Sequence, residues 1–258
     1  MAISRAQLVK ELEPGLNALF GLEYKRYENQ HAEIYTTESS DRAFEEEVML
    51  SGFANAEVKA EGSGVSFDEA QETYTARYTH DTIALAFAIT EEAIEDNLYD
   101  RIASRYTKAL ARSMSNAKQV KAVTPLNNGL SSVATFLSGD GKSLFSTNHT
   151  TVSGTAVKNT LTTQADLNET SLEQGLIDIS GMTDERGLRV AARGVKMIIP
   201  SANQFNAERL MKSQGRTGTA DNDINAVASM GMIPQGYRVN NFLTDTDSWL
   251  LLLMCLTV

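Results

Sequence analysis

Residues 90–121, TEEAIEDNLYDRIASRYTKALARSMSNAKQVK, contain neither glycine nor proline, and the next helix breaker is Pro125. Thr90 is a good N-cap, and Glu91 and Glu92 stand where the positive end of a helix dipole favours carboxylates. The stretch is predicted as one helix, roughly 48 Å long at 1.5 Å per residue. A rod of that length exceeds most helices enclosed by a compact domain, so it must organise extended structure around itself.

Its apolar residues Ile94, Leu98, Ile102, Tyr106, Leu110 and Met114 recur at steps of four. Each step overshoots a full turn by about 40°, so the apolar line winds around the rod and different partners must cover different parts of it. Charge is sorted along the axis. Glu91, Glu92, Glu95, Asp96 and Asp100 come first, followed by Arg101, Arg105, Lys108, Arg112, Lys118 and Lys121. Arg101, Arg105, Lys108 and Arg112 share one face. That face reads either as a solvated surface complementing the dipole or as a strip that meets acidic surface on a neighbouring subunit.

Upstream of this helix the apolar period changes to two. Val48, Leu50 and Phe53 alternate within residues 44–59, Gly62 and Gly64 supply a turn in EGSGVS, and residues 73–89 alternate again through Tyr74, Ala76 and Tyr78 and then Ile83, Leu85, Phe87 and Ile89. The expectation is a long β-hairpin running into the helix. Its outer part, residues 54–75, is polar and Gly-rich and has too little apolar face to pack on its own body, so it is expected to project. Further upstream, residues 4–21 carry Leu8, Leu12, Leu16, Leu19 and Phe20 at helical spacing, with Pro14 and Gly15 expected to bend or divide the helix. Residues 24–42 are polar and non-periodic and read as an extended arm.

Downstream, residues 127–168 are rich in Ser, Thr, Gly and Asn and give no regular pattern. Thr170 and Glu173 have the spacing of a capping box for a helix with Leu172, Leu176, Ile177 and Ile179 on one face. A turn is expected at residues 184–187, a strand at 195–199, and a helix after Pro200 capped by Ser201 and Gln204 and stopped at Gly215. Residues 216–223 read as a mobile loop, and 237–243 with 248–254 as a hairpin. The second half is therefore a mixed α+β domain.

With 258 residues, 42% of them hydrophobic, the chain can bury a sizeable core. Its 23 Lys and Arg against 33 Asp and Glu give a net charge of -10, which argues against broad nucleic-acid binding. A single cysteine, Cys255, allows no intramolecular disulfide and reads as a small buried hydrophobe. The N-terminal MAISRAQLVKELEPG lacks the apolar core of a secretory signal, and the longest apolar run, residues 249–255, is far short of the roughly 20 residues of a membrane helix. A soluble protein made in a cytoplasm, with no membrane partner, is expected.

Catalytic patterns fail on inspection. Gly141, Lys142 and Ser143 imitate the end of a phosphate-binding loop, but Phe136 stands where the first glycine belongs. His31, His80 and His149 are far apart, with no carboxylate or cysteine at ligand spacing, so neither a metal site nor another cofactor is expected. No G-x-S-x-G is present to mark a nucleophile elbow, and a hydrolase would need a nucleophile and base that the sequence does not offer. No enzymatic activity is expected.

The stretches AQLVKELEPGLNALFGLEYKRY, YTARYTHDTIALAFAITEEAIEDNLYD and YTKALARSMSNAKQVKA, with FLSGDGKSLFSTNHT, ADLNETSLEQGLIDI and TADNDINAV later, resemble the major capsid proteins of tailed bacteriophages, of the kind related to the Mu-like major head subunit. The resemblance spans about residues 1–249. It implies an α+β tailed-phage capsid fold: an N-terminal arm at 1–43, an extended hairpin loop and lead-in strand at 44–89, a spine helix of the peripheral domain at 90–126, and an axial domain at 127–258. Family members continue with strands that return to the peripheral domain, whereas this sequence stops at SWLLLLMCLTV, so those return strands are expected to be missing.

The resemblance implies a structural virion protein that self-assembles through pentamers and hexamers into an icosahedral head around double-stranded DNA, with assembly in the host bacterial cytoplasm. Its partners would be further copies of itself together with scaffold, portal and decoration proteins, and DNA would be enclosed without sequence-specific binding. An encapsulin-like shell around an enzyme cargo is the alternative, since it shares the architecture. By the same resemblance Glu57, Glu61, Asp68, Glu69 and Glu72 of the hairpin would face Arg101, Arg105, Lys108 and Arg112 of a neighbour's spine helix.

Overall fold

The computed structural model describes residues 5–88, 99–216 and 223–255, with side chains from Gly15 in the first helix, from Ala103 in the helix that starts at Tyr99, and up to Met254 in the last strand. The predicted cap Thr90, the acids Glu91, Glu92, Glu95 and Asp96, and the apolar Ile89, Ile94 and Leu98 lie outside the described residues, as do residues 217–222 of the predicted loop. Two compact units are present, and neither is continuous in sequence. One combines Met1–Thr37 with His80–Val123, the other Glu38–Thr79 with Thr124–Val258.

In the first unit, helix α1 (Arg5–Arg26) is continuous through Pro14 and Gly15, so the division expected there is absent. Pro14 forfeits one backbone bond, and the remaining turns carry the helix across it. A 3-10 turn at Gln30–Glu33 follows, where an extended arm was expected, and it buries His31. Helix α2 (Tyr99–Asn127) runs past the predicted end at Lys121 and includes Pro125.

The buried face of α2 corrects the predicted apolar line. Ala103, Thr107, Ala111, Ser115, Gln119 and Val123 are buried, again at steps of four but one position on from the large residues, whereas Tyr106 is 56% exposed. Small side chains let a neighbouring backbone approach the helix axis, and that favours this line over one of Tyr, Leu and Met. Thr107 helps by turning its hydroxyl inward to the Ala103 carbonyl, 2.8 Å away. Tyr106 packs instead on Phe87, with ring centroids 6.0 Å apart.

The second unit begins with β1 (Phe44–Leu50) and β2 (Glu72–Thr79), antiparallel from Phe44 opposite Thr79 to Val48 opposite Thr75, then shifted so that Leu50 faces Glu72. The predicted strand through residue 89 therefore ends ten residues early. Nothing on β1 lies before Phe44 to pair with it, and residues 80–88 have no regular structure. The outer hairpin is a loop, not a ribbon: between Leu50 and Glu72 the chain makes a turn at Glu61 and Gly62, the latter at φ +81°.

The remainder of this unit is built on β5 (Ala192–Ile199), after a small hairpin of β3 (His149–Thr150) and β4 (Ala156–Val157). Strand β6 (Tyr237–Val239) pairs with β5 in parallel and β7 (Leu250–Cys255) pairs with it antiparallel, giving the order β6-β5-β7. The expected hairpin between the last two strands is thus absent. Met197, Ile198 and Ile199 are buried in succession, the pattern of a strand covered on both faces, and such a strand belongs at the centre of the sheet with partners on both edges.

Helix α3 (Glu169–Ser180) places Leu172, Leu176 and Ile179 in the core, and Gly194 of β5 admits it, since a Cβ there would lie 2.9 Å from Leu176 Cδ2. Its cap is Asn168 with Ser171 as the reciprocal partner, not Thr170 with Glu173. The Asn168 carboxamide accepts from Ser171 N–H at 2.9 Å, two residues earlier than predicted, so the helix starts earlier too. Helix α4 (Gln204–Lys212) is entered through a 3-10 turn at Ser201–Asn203 with no side-chain cap, and it ends at Ser213, short of Gly215. Helix α5 (Ala226–Met230), capped by Asn225 and closed by Gly231 at φ +59°, was not foreseen. Leu167, Leu172, Leu176, Met197, Ile199, Ala207, Leu210, Val227 and Ile233 form one core, flanked by Trp249 and Leu251. The architecture is α+β.

Candidate subunit interface

The hairpin loop leaves the sheet at Ser51. The Ser51 N–H donates to the Gln71 carbonyl at 2.8 Å and the Gln71 N–H returns to Ser51 Oγ at 2.9 Å, closing the last rung between the legs. From Gly52 to Thr73 every residue is exposed. Val58 is 101% exposed and Phe67 97%, and Phe53 and Val65 also face outward, so the loop presents apolar side chains that its own subunit leaves uncovered.

Three devices hold the loop's base. Asp68 accepts from the Ala54 N–H at 2.6 Å and from the Glu69 N–H at 3.0 Å. These backbone bonds, the Ala54 one foremost, with the Arg186 charge nearby, hold its carboxyl below the usual carboxylate range. Arg186 donates from Nε to the Gly52 carbonyl at 3.1 Å and from Nη2 to the Glu69 carbonyl at 2.6 Å. Lower on β2, the Tyr74 ring lies against Gly139, where a Cβ would come within 2.0 Å of the ring. Burial pushes the Tyr74 hydroxyl above its ordinary range, reinforced by Glu185 and Asp140.

Of the predicted acids, Glu57, Glu61, Asp68, Glu69 and Glu72 are all exposed, but Asp68 is engaged within the loop and Glu69 offers its carbonyl to Arg186. Of the predicted bases, Arg105, Lys108 and Arg112 are exposed on α2, with Lys108 Nζ 3.7 Å from Glu23. The Arg101 side chain lies outside the described residues. Acids and bases therefore sit on different units of the chain. Sequence reasoning missed Arg186 and Gly139. The turn that carries Arg186 was legible, but its reach to residues 117 and 134 positions away was not.

Reaction chemistry has little to build on among the described residues. No three His, Cys, Asp or Glu side chains are grouped to hold a metal, and no helix is long and apolar enough to cross a membrane. His149 Nδ1 meets Asp140 Oδ2 at 2.7 Å with no nucleophile beside them in the described contacts. An open depression lined by Glu169, Glu173, Arg216, Asp223 and Ile224 is crossed by the Arg216–Glu169 ion pair at 2.9 Å and offers carboxylates without a nucleophile.

A family model described as phage capsid protein matches residues 73–253, from β2 to the end of the sheet. The chain belongs to the phage capsid protein family. As a phage capsid protein it has a structural role. The fold is similar to a chain of the procapsid of bacteriophage JBD30, with a TM-score of 0.63 and 14% identity over 93% of this chain and 100% of that one. It is also similar to a chain of the bacteriophage JBD30 capsid decorated with minor capsid protein trimers, with a TM-score of 0.62 and 12% identity over 84% of this chain and 92% of that one. No curated protein sequence matches the chain.

Proposed function

We propose that this capsid protein self-assembles through pentamers and hexamers into the icosahedral head that encloses phage double-stranded DNA, in the cytoplasm of the host bacterium. Residues 1–43 serve as the arm, 44–89 as the extended loop with its lead-in, 90–126 as the spine and 127–258 as the axial domain. The observation that carries the reading is the hairpin loop, exposed throughout from Gly52 to Thr73 with Phe53, Val58, Val65 and Phe67 outward. Such a segment is stable in water only when something covers it, and a second copy of the chain is the partner that a closed shell supplies. Glu57, Glu61 and Glu72 then face Arg101, Arg105 and Arg112 of the neighbour's spine, which sets register more than affinity. The net charge of -10 suits a wall that confines DNA without gripping it. A minor capsid protein of the kind that decorates the JBD30 capsid is a candidate outer partner.

The test replaces residues 54–72 by a short Gly-Ser turn and compares the two proteins by circular dichroism, sedimentation and negative-stain microscopy. The expected outcome is closed shells from the parent chain and, from the shortened one, an unchanged helix signal with no shells. Shells of parental size from the shortened protein would overturn the reading.

A further inference from the structure

Arg186 is the one side chain described that touches both legs of the loop from outside it. Its Nε–H reaches the Gly52 carbonyl at 3.1 Å and its Nη2 lies 3.4 Å from Ser51 Oγ, both on the outgoing leg. The same Nη2 donates to the Glu69 carbonyl at 2.6 Å on the returning leg. This is where the ladder stops, because beyond the Ser51–Gln71 rung the contact between the legs is the Asp68 bond to Ala54. A planar guanidinium with divergent donors can span two carbonyls at once, and a lysine ammonium on a flexible stem does not hold that geometry.

The clamp stands on a fixed mount. Asp184 Oδ1 accepts from the Arg186 N–H at 2.9 Å and the Leu188 N–H at 2.7 Å, and the Gly187 N–H closes on the Asp184 carbonyl at 3.1 Å. Gly187 takes φ +85°, a conformation that suits glycine. This turn connects α3 to β5, the central strand of the core sheet. One side chain therefore ties the base of the loop to the turn that leads into β5.

We infer that Arg186 is a positioning residue for assembly, fixing the direction in which the 51–71 loop leaves its own subunit so that the loop can seat on a second copy. The inference rests on the shell-forming reading above. It differs from a role in folding, because Arg186 lies outside the apolar core and bonds to a segment that is otherwise exposed.

The experiment uses the full chain with R186A and R186K and measures thermal melting, amide hydrogen exchange over residues 51–71, and assembly by sedimentation and microscopy. Loss of two hydrogen bonds predicts about ten- to hundredfold faster exchange at the bonded amides of the loop's base, Ser51, Ala54 and Gln71. The expected result is that faster exchange in both variants, with the parental melt retained and closed shells lost or replaced by open, irregular products. Unchanged exchange, or parental shells at the parental rate, overturns the inference. Loss of the cooperative melt overturns it too, since Arg186 would then serve folding. If the parent chain itself forms no shells, it is the shell reading that fails, and the exchange measurement still decides whether Arg186 holds the loop.

Discussion

Replacing Gln119 by leucine tests how the turn at Gln30–Glu33 is held on α2. Gln119 is 2% exposed, and its carboxamide works at both ends: Oε1 accepts from the His31 N–H at 3.1 Å, and Nε2 donates to the Glu28 carbonyl at 3.2 Å. Leucine fills nearly the same volume, so packing is kept while both bonds go. The two losses are unequal. Glu28 is exposed and its carbonyl can turn to water, whereas His31 is buried and its N–H stays unpaired. A buried donor left without a partner costs about 1–3 kcal/mol, which is about 5- to 150-fold in an opening equilibrium. A typical total stability of about 5–15 kcal/mol survives that loss, so the helices should remain and the turn Gln30–Glu33 should open. Hydrogen exchange read at the His31 amide gives the answer directly, with circular dichroism as the control. Parental protection of the His31 amide in Q119L would refute the reasoning. So would a large loss of helix signal, which would make Gln119 a support of α2 itself.

Two further outcomes concern the loop between α2 and β3. G139A should drive a methyl group into the Tyr74 ring and lower the melting temperature, and the double variant G139A with Y74A should recover part of the loss, as differential scanning calorimetry can show. Burial opposes ionisation of Asp140, but the His149 contact and the Lys142 N–H outweigh it and hold its carboxyl below the usual range. A carboxyl depressed in the folded state stabilises fully above the unfolded value near pH ~4 and loses that contribution as pH falls through its folded value. The parent should therefore be more stable than D140N at neutral pH, with the gap closing on acidification, and thermal melts that stay equally far apart at every pH would contradict this.

Much of the local structure was legible because local rules governed it. Alternation placed the hairpin where β1 and β2 pair, the uninterrupted stretch gave a long helix from Tyr99, and Leu172 and Leu176 went to the core as their spacing required. What failed involved choices between near neighbours or distant partners. Asn168 won the cap over Thr170 because its carboxamide and Ser171 Oγ satisfy each other's backbone N–H groups. On α2 the hydrophobicity of Tyr106 and Leu110 pointed to one line, while the buried line runs through the smaller Ala103, Thr107, Ala111 and Ser115 beside it. Strands β6 and β7 each matched a strand pattern, but their alternation contains nothing to say that both flank β5. The interface residues divide in the same way. The exposed acids could be read from composition, whereas the bonds of Arg186 to Gly52 and Glu69 depend on a turn brought close by the fold.

The interleaving of the two units sets an order on synthesis. Strands β1 and β2 leave the ribosome before the segment that completes the first unit, yet they belong to the second, whose remaining residues follow Val123. The first unit can close while the hairpin still lacks Gly139 and Arg186, its two seats. Later, β5 emerges with both edges open and gains its antiparallel neighbour only when residues 250–255 have been translated. Until Arg186 emerges the nascent chain carries an unanchored loop bearing Phe53 and Phe67, and from then until residue 255 an apolar strand with an open edge, surfaces that other nascent copies on the same message can capture. Slower elongation over residues 124–255 would lengthen this exposure, so the yield of assembly-competent subunits should depend on translation rate and on chaperone supply as well as on the final fold.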